Sequence, residues 1–167
     1  MSDLEEILPA LTKSGALYLV VGGVAVVLHG HPRFTADLDL AVRLERGNVL
    51  RLLSALESLG YRPRAPVATA DFADENLRNQ WIQEKNLTVF SMWSPRYPAT
   101  EVDIFVKDPF DFDLAYGRSL RADLNGTIVT VAGIDDMIAL KRATGRPRDL
   151  EDADALEALS KAANERE

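Results

Sequence analysis

The stretch "VVGGVAVVLHGHPRFTADLDLAV", Val20 to Val42, decides the fold, because Asp37 and Asp39 interrupt an otherwise apolar run. "ADLDLAVR" alternates, with Leu38, Leu40 and Val42 on one face and Asp37, Asp39 and Ala41 on the other, which is the period of a strand. Upstream, "ALYLVV", Ala16 to Val21, is apolar on both faces and stops at Gly22-Gly23, as a central strand covered on both sides would. A short buried helix is expected over Val24 to His29, and "HPRFT" reads as a loop. Solvent-facing strands also alternate polar with apolar residues, so the aspartate pair takes its meaning from its surroundings.

Working outward, Leu4, Ile7, Leu8 and Leu11 predict a first helix over Asp3 to Ser14, closed by Gly15. Val49, Leu52, Leu53, Leu56 and Leu59 predict another over Arg46 to Leu59, ended by Gly60. The Pro- and Ala-rich segment that follows reads as a loop leading into a short helix near Asp74 to Gln83. "NLTVFSMW" reads as a strand. "TEVDIFVK", Thr100 to Lys107, repeats the earlier alternation, with Val102, Ile104 and Val106 opposite Glu101, Asp103 and Phe105. "SLRADLNGTIVTVAG" predicts a hairpin turning at Asn125-Gly126, and two helices, Ile134 to Thr144 and Leu150 to Ala162, close the chain. Strand and helix alternate, so the expected class is α/β (α+β): a mixed β-sheet flanked by helices, with C-terminal helices, as one domain over residues 1–167.

Composition narrows the chemistry. There are no cysteines among the 167 residues, so any metal must be held by oxygen or imidazole, and a cytoplasmic setting is expected. No apolar run approaches the roughly 20 residues of a membrane span, so no membrane partner is expected. A net charge of −7 opposes a surface built to track nucleic-acid phosphates, although "KRATGRPR", Lys141 to Arg148, makes a local cationic patch.

Asp37 and Asp39 project from one strand face roughly 7 Å apart along the chain. If the Thr100 to Lys107 strand lies beside theirs, Asp103 joins them, and three mutually repelling anions call for divalent cations. Magnesium takes oxygen ligands shared with substrate phosphates, and two such ions can clamp an in-line displacement. Gly22-Gly23 lets backbone N–H groups approach a phosphate at a helix start. A dinucleotide fold is the other phosphate reading, but "GGVAVV" is not G-x-G-x-x-G.

Glycine pair, Asp-x-Asp between apolar residues, then a later apolar-Asp-apolar strand resembles the nucleotidyltransferases of the DNA polymerase β superfamily. "GGVAVVLHGHPRFTADLDL" is similar to the small bacterial members related to abortive-infection toxins of type IV toxin–antitoxin systems and, more distantly, to antibiotic nucleotidyltransferases. The resemblance extends to Val102–Phe105 and "DDMIALKRATGRPRDLEDADAL". It implies that Gly22 and Gly23 hold an NTP, that Asp37, Asp39 and Asp103 bind two Mg2+ ions, and that Lys141 contacts the nucleotide. Lys141 also falls on the inward stripe Ile134, Met137, Ile138, Lys141. Arg33 and Thr35, just before the aspartates, are placed to meet the triphosphate. Many members carry Gly-Ser where this chain has Gly22-Gly23, so that phosphate contact is expected from backbone.

The expected activity is transfer of a nucleoside monophosphate from an NTP to a hydroxyl of an RNA end, protein or small molecule, with release of pyrophosphate; the toxin-like resemblance leans toward RNA or protein. The competing expectation is a non-catalytic binding protein with the same fold, acting with a cognate toxin or antitoxin. His29 and His31 read as turn or surface residues, Trp81, Phe90 and Trp93 as packing residues. Arg142, Arg146 and Arg148 read equally as a solvated patch paired with Asp149, Glu151 and Asp152 or as a phosphate site.

Overall fold

The computed structural model describes residues 2–166. Fifteen elements follow one another: α1 (Ser2–Lys13), β1 (Tyr18–Val21), α2 (Gly22–Leu28), β2 (Leu38–Val42), α3 (Arg46–Ser58), β3 (Arg62–Pro63), a 3-10 turn (Thr69–Ala73), α4 (Glu75–Lys85), β4 (Val89–Trp93), β5 (Val102–Phe105), α5 (Phe112–Gly117), β6 (Leu120–Leu124), β7 (Thr127–Val131), α6 (Ile134–Thr144) and α7 (Pro147–Glu165). The strands form one mixed seven-stranded sheet in the order β3-β4-β5-β2-β1-β7-β6. The α/β class expected from the alternation of strands and helices is the fold observed.

The centre of the sheet is the part the sequence marked. β1 and β2 run antiparallel with Val20 opposite Leu40, and β2 and β5 run parallel with Asp39 opposite Asp103. Leu19, Val20, Val21, Leu38, Leu40 and Ile104 are wholly removed from solvent, and each large aliphatic side chain so buried is worth roughly 1.5–3 kcal/mol. α1 packs on β7 and α3, while α2 packs on β1, β2 and α6. The hairpin β6–β7 turns at Asn125 and Gly126, both with positive φ, as the two-residue turn requires.

Several boundaries differ from the sequence expectation. Both glycines belong to the first turn of α2 instead of preceding it, and Asp37 lies one residue outside β2, on the loop that feeds it. α7 begins at Pro147 and not at Leu150, because proline suits the first helical position, where its missing N–H has no partner to lose. Gly145, at φ +66, ends α6 and reverses the chain within a few residues. That reversal lays the start of α7 back along α6. The short strand β3, the 3-10 turn and α5 were not expected. The turn is tied in by Phe72, which stacks on Phe90 at 4.8 Å and accepts a hydrogen bond at its carbonyl from the buried Arg78.

Candidate functional site

Gly22 sits at φ +69, and any Cβ there would run into the Asp39 carboxylate. The backbone can pass beside that carboxylate only because residue 22 is glycine. No side chain caps the start of α2, so its first N–H groups have no side-chain partner. A Cβ at Gly23 would come within 2.5 Å of the Thr35 hydroxyl and 3.2 Å of Arg33 Nη1. The place a serine side chain at residue 23 would fill is thus already taken by Thr35. A hydroxyl does stand at the glycine turn, that of Thr35 from the loop before β2.

Asp37, Asp39 and Asp103 line one cleft at the start of β2 and β5. Asp39 and Asp103 face one another at the same register, and Ser91 on β4 donates to Asp103 Oδ1 at 2.6 Å. Burial pushes the Asp39 carboxyl up to about 7, the neighbouring charges of Asp103 and Asp37 add to the rise, and Lys141 and Arg146 only moderate it. Burial likewise raises Asp103, opposed by the Ser91 hydrogen bond and helped by Glu101. Asp37 is raised by partial burial and then by Asp103 and Glu101. A site in which like charges raise one another is short of positive charge.

Among the described residues, no three acidic or imidazole side chains stand close enough together to enclose a metal ion unaided. The donor set nevertheless fits magnesium, which is commonly held by one or two carboxylates and completes its shell with water and substrate phosphates. Asp39 and Asp103, with Asp37 at the rim, are the residues that would hold it.

Facing the carboxylates is a chain of ion pairs reaching from the loop before β2 to α7. Lys141 Nζ lies 3.3 Å from Asp149 Oδ1 and 3.0 Å from Asp152 Oδ2, and it is buried as its helical stripe predicted. Asp152 Oδ2 also takes Arg33 Nη1 at 2.6 Å. Arg146 Nε donates to Asp149 Oδ2 at 2.8 Å. Burial alone would raise Asp149, but Arg146, Thr144 and Lys141 together outweigh it and hold the carboxyl below its ordinary range. The arginine patch therefore divides. Arg142 faces solvent and pairs with Asp154 and Glu157, whereas Arg146 and Arg148 line the site, Arg148 Nη2 donating to the Phe34 carbonyl at 2.6 Å. Asp149 and Asp152, read from sequence as surface partners, are buried. A periodicity could have found them, since Asp149, Asp152, Ala153 and Leu156 share the inward stripe of a helix that starts at Pro147.

Two connected clefts open here. One, about 460 Å³, is lined by Gly23, Arg33, Thr35, Arg146 and Arg148 beside Asp37 and Asp39. The other, about 620 Å³, shares Asp37, Asp39, Lys141, Arg146 and Asp149 and adds Asp103, Thr88, Val89, Phe105, Leu140 and Thr144. His29, by contrast, bonds the Ala132 carbonyl through Nε2 at 2.8 Å, and Trp81 stacks on Phe90 at 5.7 Å, both as packing residues. Trp93 is partly exposed under the Arg64 guanidinium. No helix among the described residues is long and apolar enough to cross a membrane.

No protein-family model matches the chain, and no curated protein matches it in sequence. Solved structures do match it in shape. The lincosamide antibiotic adenylyltransferase LnuA, bound to lincomycin, superposes with TM-score 0.62 at 15% identity over 95% of this chain and 96% of its own. ANT(2″)-Ia in complex with adenylyl-2″-tobramycin gives 0.59 at 16% identity over 99% and 97%. An antigenic nucleotidyltransferase-like protein from Paracoccidioides brasiliensis gives 0.52 at 16% identity over 95% and 77%. The chain shares its fold with these solved structures.

Proposed function

We propose that the protein is a metal-dependent nucleotidyltransferase that moves a nucleoside monophosphate from an NTP to a hydroxyl acceptor and releases pyrophosphate. The observation that carries this reading is the pairing of Asp39 with Asp103 at one register beside Gly22, a glycine whose missing Cβ leaves room for that carboxylate. A second support is the fold shared with adenylyltransferases, two of them captured with an antibiotic or an adenylylated antibiotic.

In this reading the triphosphate lies in the cationic cleft. Gly22 and Gly23 offer backbone N–H groups, Thr35 its hydroxyl, and Arg33, Lys141 and Arg146 their charge. Asp39 and Asp103, with Asp37 at the rim, would hold two Mg2+ ions, which when bound would supply positive charge to the phosphate oxygens. The acceptor oxygen attacks the α-phosphorus from the Asp103 side, and the bond from that phosphorus to the β-phosphate oxygen breaks as pyrophosphate departs. Asp103 takes the hydroxyl proton, and its carboxyl, raised by burial, suits a base that must accept one.

The second cleft is the acceptor side, because it alone contains Asp103. Val21, Val89, Phe105 and Leu140 give it an apolar wall, Thr88 and Thr144 supply hydroxyls, and Lys141 and Arg146 are already paired with carboxylates. Its size falls in the range of small-molecule sites, roughly 300–1,000 Å³. Its two cations, Lys141 and Arg146, are shared with the cleft given to the triphosphate and no further cation lines it, which favours a small hydroxylated acceptor over the RNA end or protein that the toxin-like resemblance suggested. An NTP donor is compatible with the cytoplasmic setting expected from the absence of cysteine. The pairing with a toxin or antitoxin stands on the sequence resemblance alone.

The test is to incubate the purified protein with α-labelled NTPs, magnesium and, separately, total RNA, a cell lysate, and panels of lincosamides and aminoglycosides. Label on a small molecule supports the reading, and label on RNA would move the acceptor to a polymer. Absence of both label transfer and NTP binding would leave the non-catalytic binding protein as the better account.

A further inference from the structure

We propose that Asp152 is a positioning residue for the triphosphate end of the nucleotide, holding Arg33 and Lys141 against each other so that both meet the same phosphate group. The proposal deepens the nucleotidyltransferase reading and rests on it.

One oxygen makes the link. Asp152 Oδ2 stands 2.6 Å from Arg33 Nη1 and 3.0 Å from Lys141 Nζ, so two cations from distant parts of the chain converge on a single atom. Arg33 comes from the loop before β2 and Lys141 from α6, two segments with no covalent reason to meet. The side chains of Asp152 and Lys141 are 4% and 10% exposed and that of Arg33 is 15% exposed, so water does little to relieve their charges. Two like charges held this close would repel strongly if the carboxylate between them were lost.

The rest of the chain sets the direction of the effect. Arg33, Asp152, Lys141, Asp149 and Arg146 alternate in sign, three cations to two carboxylates, which leaves one positive charge over for a ligand. Arg33 Nη1 also lies within 3.2 Å of where a Cβ on Gly23 would stand, so the guanidinium that Asp152 fixes is held against the start of α2. Asp152 cannot ride away from this position, because Ala153 and Leu156 on the same helix are fully buried. A carboxylate would repel phosphate if it touched it, so Asp152 acts through its two cations and its loss should appear in nucleotide binding.

The experiment compares wild type with Asp152→Asn, Asp152→Glu, Arg33→Gln and, as a surface control on the same helix, Asp154→Asn. Titration calorimetry in magnesium measures affinity for ATP and for inorganic tripolyphosphate, with folding checked by circular dichroism and Tm. Loss of an outer partner that orients a metal ligand costs roughly 10- to 100-fold in affinity, and a carboxylate that orients two phosphate-binding cations is taken by analogy to be worth a similar factor. We expect that loss for both ligands in Asp152→Asn, where the loss of orientation outweighs the negative charge removed, and in Arg33→Gln, with partial recovery in Asp152→Glu and wild-type affinity in Asp154→Asn. Asp152→Asn that is folded, with a lower Tm but unchanged affinity for both ligands, would overturn the proposal and leave Asp152 a structural residue. Should Asp152→Asn fail to fold, unchanged tripolyphosphate affinity in Arg33→Gln overturns it equally. Wild type that binds neither ligand would instead sink the nucleotidyltransferase reading itself.

Discussion

Replacing Asp39 by asparagine should make the metal-free protein more stable above neutral pH while abolishing nucleotide transfer. The Asp39 carboxyl is pushed from 3.8 to about 7, by burial first and by Asp103 and Asp37 next. Because the folded value lies above the unfolded one, the protonated form favours folding. That contribution is fully present below pH 3.8 and is gone once the pH has risen through about 7. At about 1.4 kcal/mol for each pH interval of one, a cost of about 4 kcal/mol has accumulated by about pH 8, an upper figure because the cleft is open to water. About 2 kcal/mol of it appears between about pH 5.5 and about pH 8. Asparagine is nearly isosteric and carries no charge, so its stability should not fall over that interval for this reason. Asp108, also raised to about 7 by burial, titrates alike in both proteins and cancels in the difference. Urea unfolding in EDTA at the two pH values measures this difference directly, and labelled-NTP transfer in magnesium measures the activity. If the gap between variant and wild type is the same at both pH values, like-charge repulsion and burial at Asp39 are not what the structure implies.

Asp37→Asn and Asp103→Asn should each lower transfer by at least about 100-fold with the circular dichroism spectrum unchanged, since each removes a charge that would hold magnesium; full activity in magnesium for either would remove that residue from the site. Lys141→Ala should raise the Kd for ATP by about tenfold or more, while Arg142→Ala, which frees only a solvent-facing arginine from Asp154 and Glu157, should leave it within about twofold. Gly22→Ala should lower Tm and abolish transfer together, because the residue sits at φ +69 and its new methyl group would displace the Asp39 carboxylate; a stable, active alanine variant would show that the close approach is not needed.

The sheet centre was legible because its signals are local. Alternation around Asp39 and around Asp103 fixes two strands, and the run Leu19, Val20, Val21 between glycines fixes a third. Lys141 was legible for the same reason, from three apolar residues on its own helical stripe. Asp152 was not, because a run such as "RPRDLED" satisfies a surface reading equally well until the position of the helix start is known. Pro147 held that information, and taking α7 to begin there would have turned Asp149 and Asp152 inward. Thr35 was placed at the triphosphate, but its relation to Gly23 is a contact across twelve residues of chain, which no periodicity encodes. The segment after α3 stayed unreadable since its order comes from Phe72 reaching across to Phe90 and from Arg78 folding back onto the Phe72 carbonyl.

The charges lining the two clefts bear on how an acidic protein could hold a triphosphate. Arg33, Lys141, Arg146 and Arg148 face Asp37, Asp39, Asp103 and Asp149, with Asp152 behind them, so four cations stand against five carboxylates and the fully ionised site is negative by one charge. These groups line or back two adjoining clefts, where charges are screened less than on open surface, so a polyphosphate meets their sum and not the cations alone. The chain as a whole, at −7, adds to the repulsion at longer range. Two divalent ions at the carboxylates would change the local sum from −1 to +3, and only then is the site attractive to a triphosphate. The affinity for ATP should accordingly fall by more than about 100-fold when magnesium is replaced by EDTA, a loss worth about 3 kcal/mol. Raising salt with magnesium present should weaken binding far less, because the attraction would act at short range in a cleft partly screened from solvent. Titration calorimetry in the two buffers measures both effects. ATP binding of equal strength in EDTA would mean that Arg33, Lys141 and Arg146 hold the triphosphate without metal, and that the three aspartates serve some purpose other than binding magnesium.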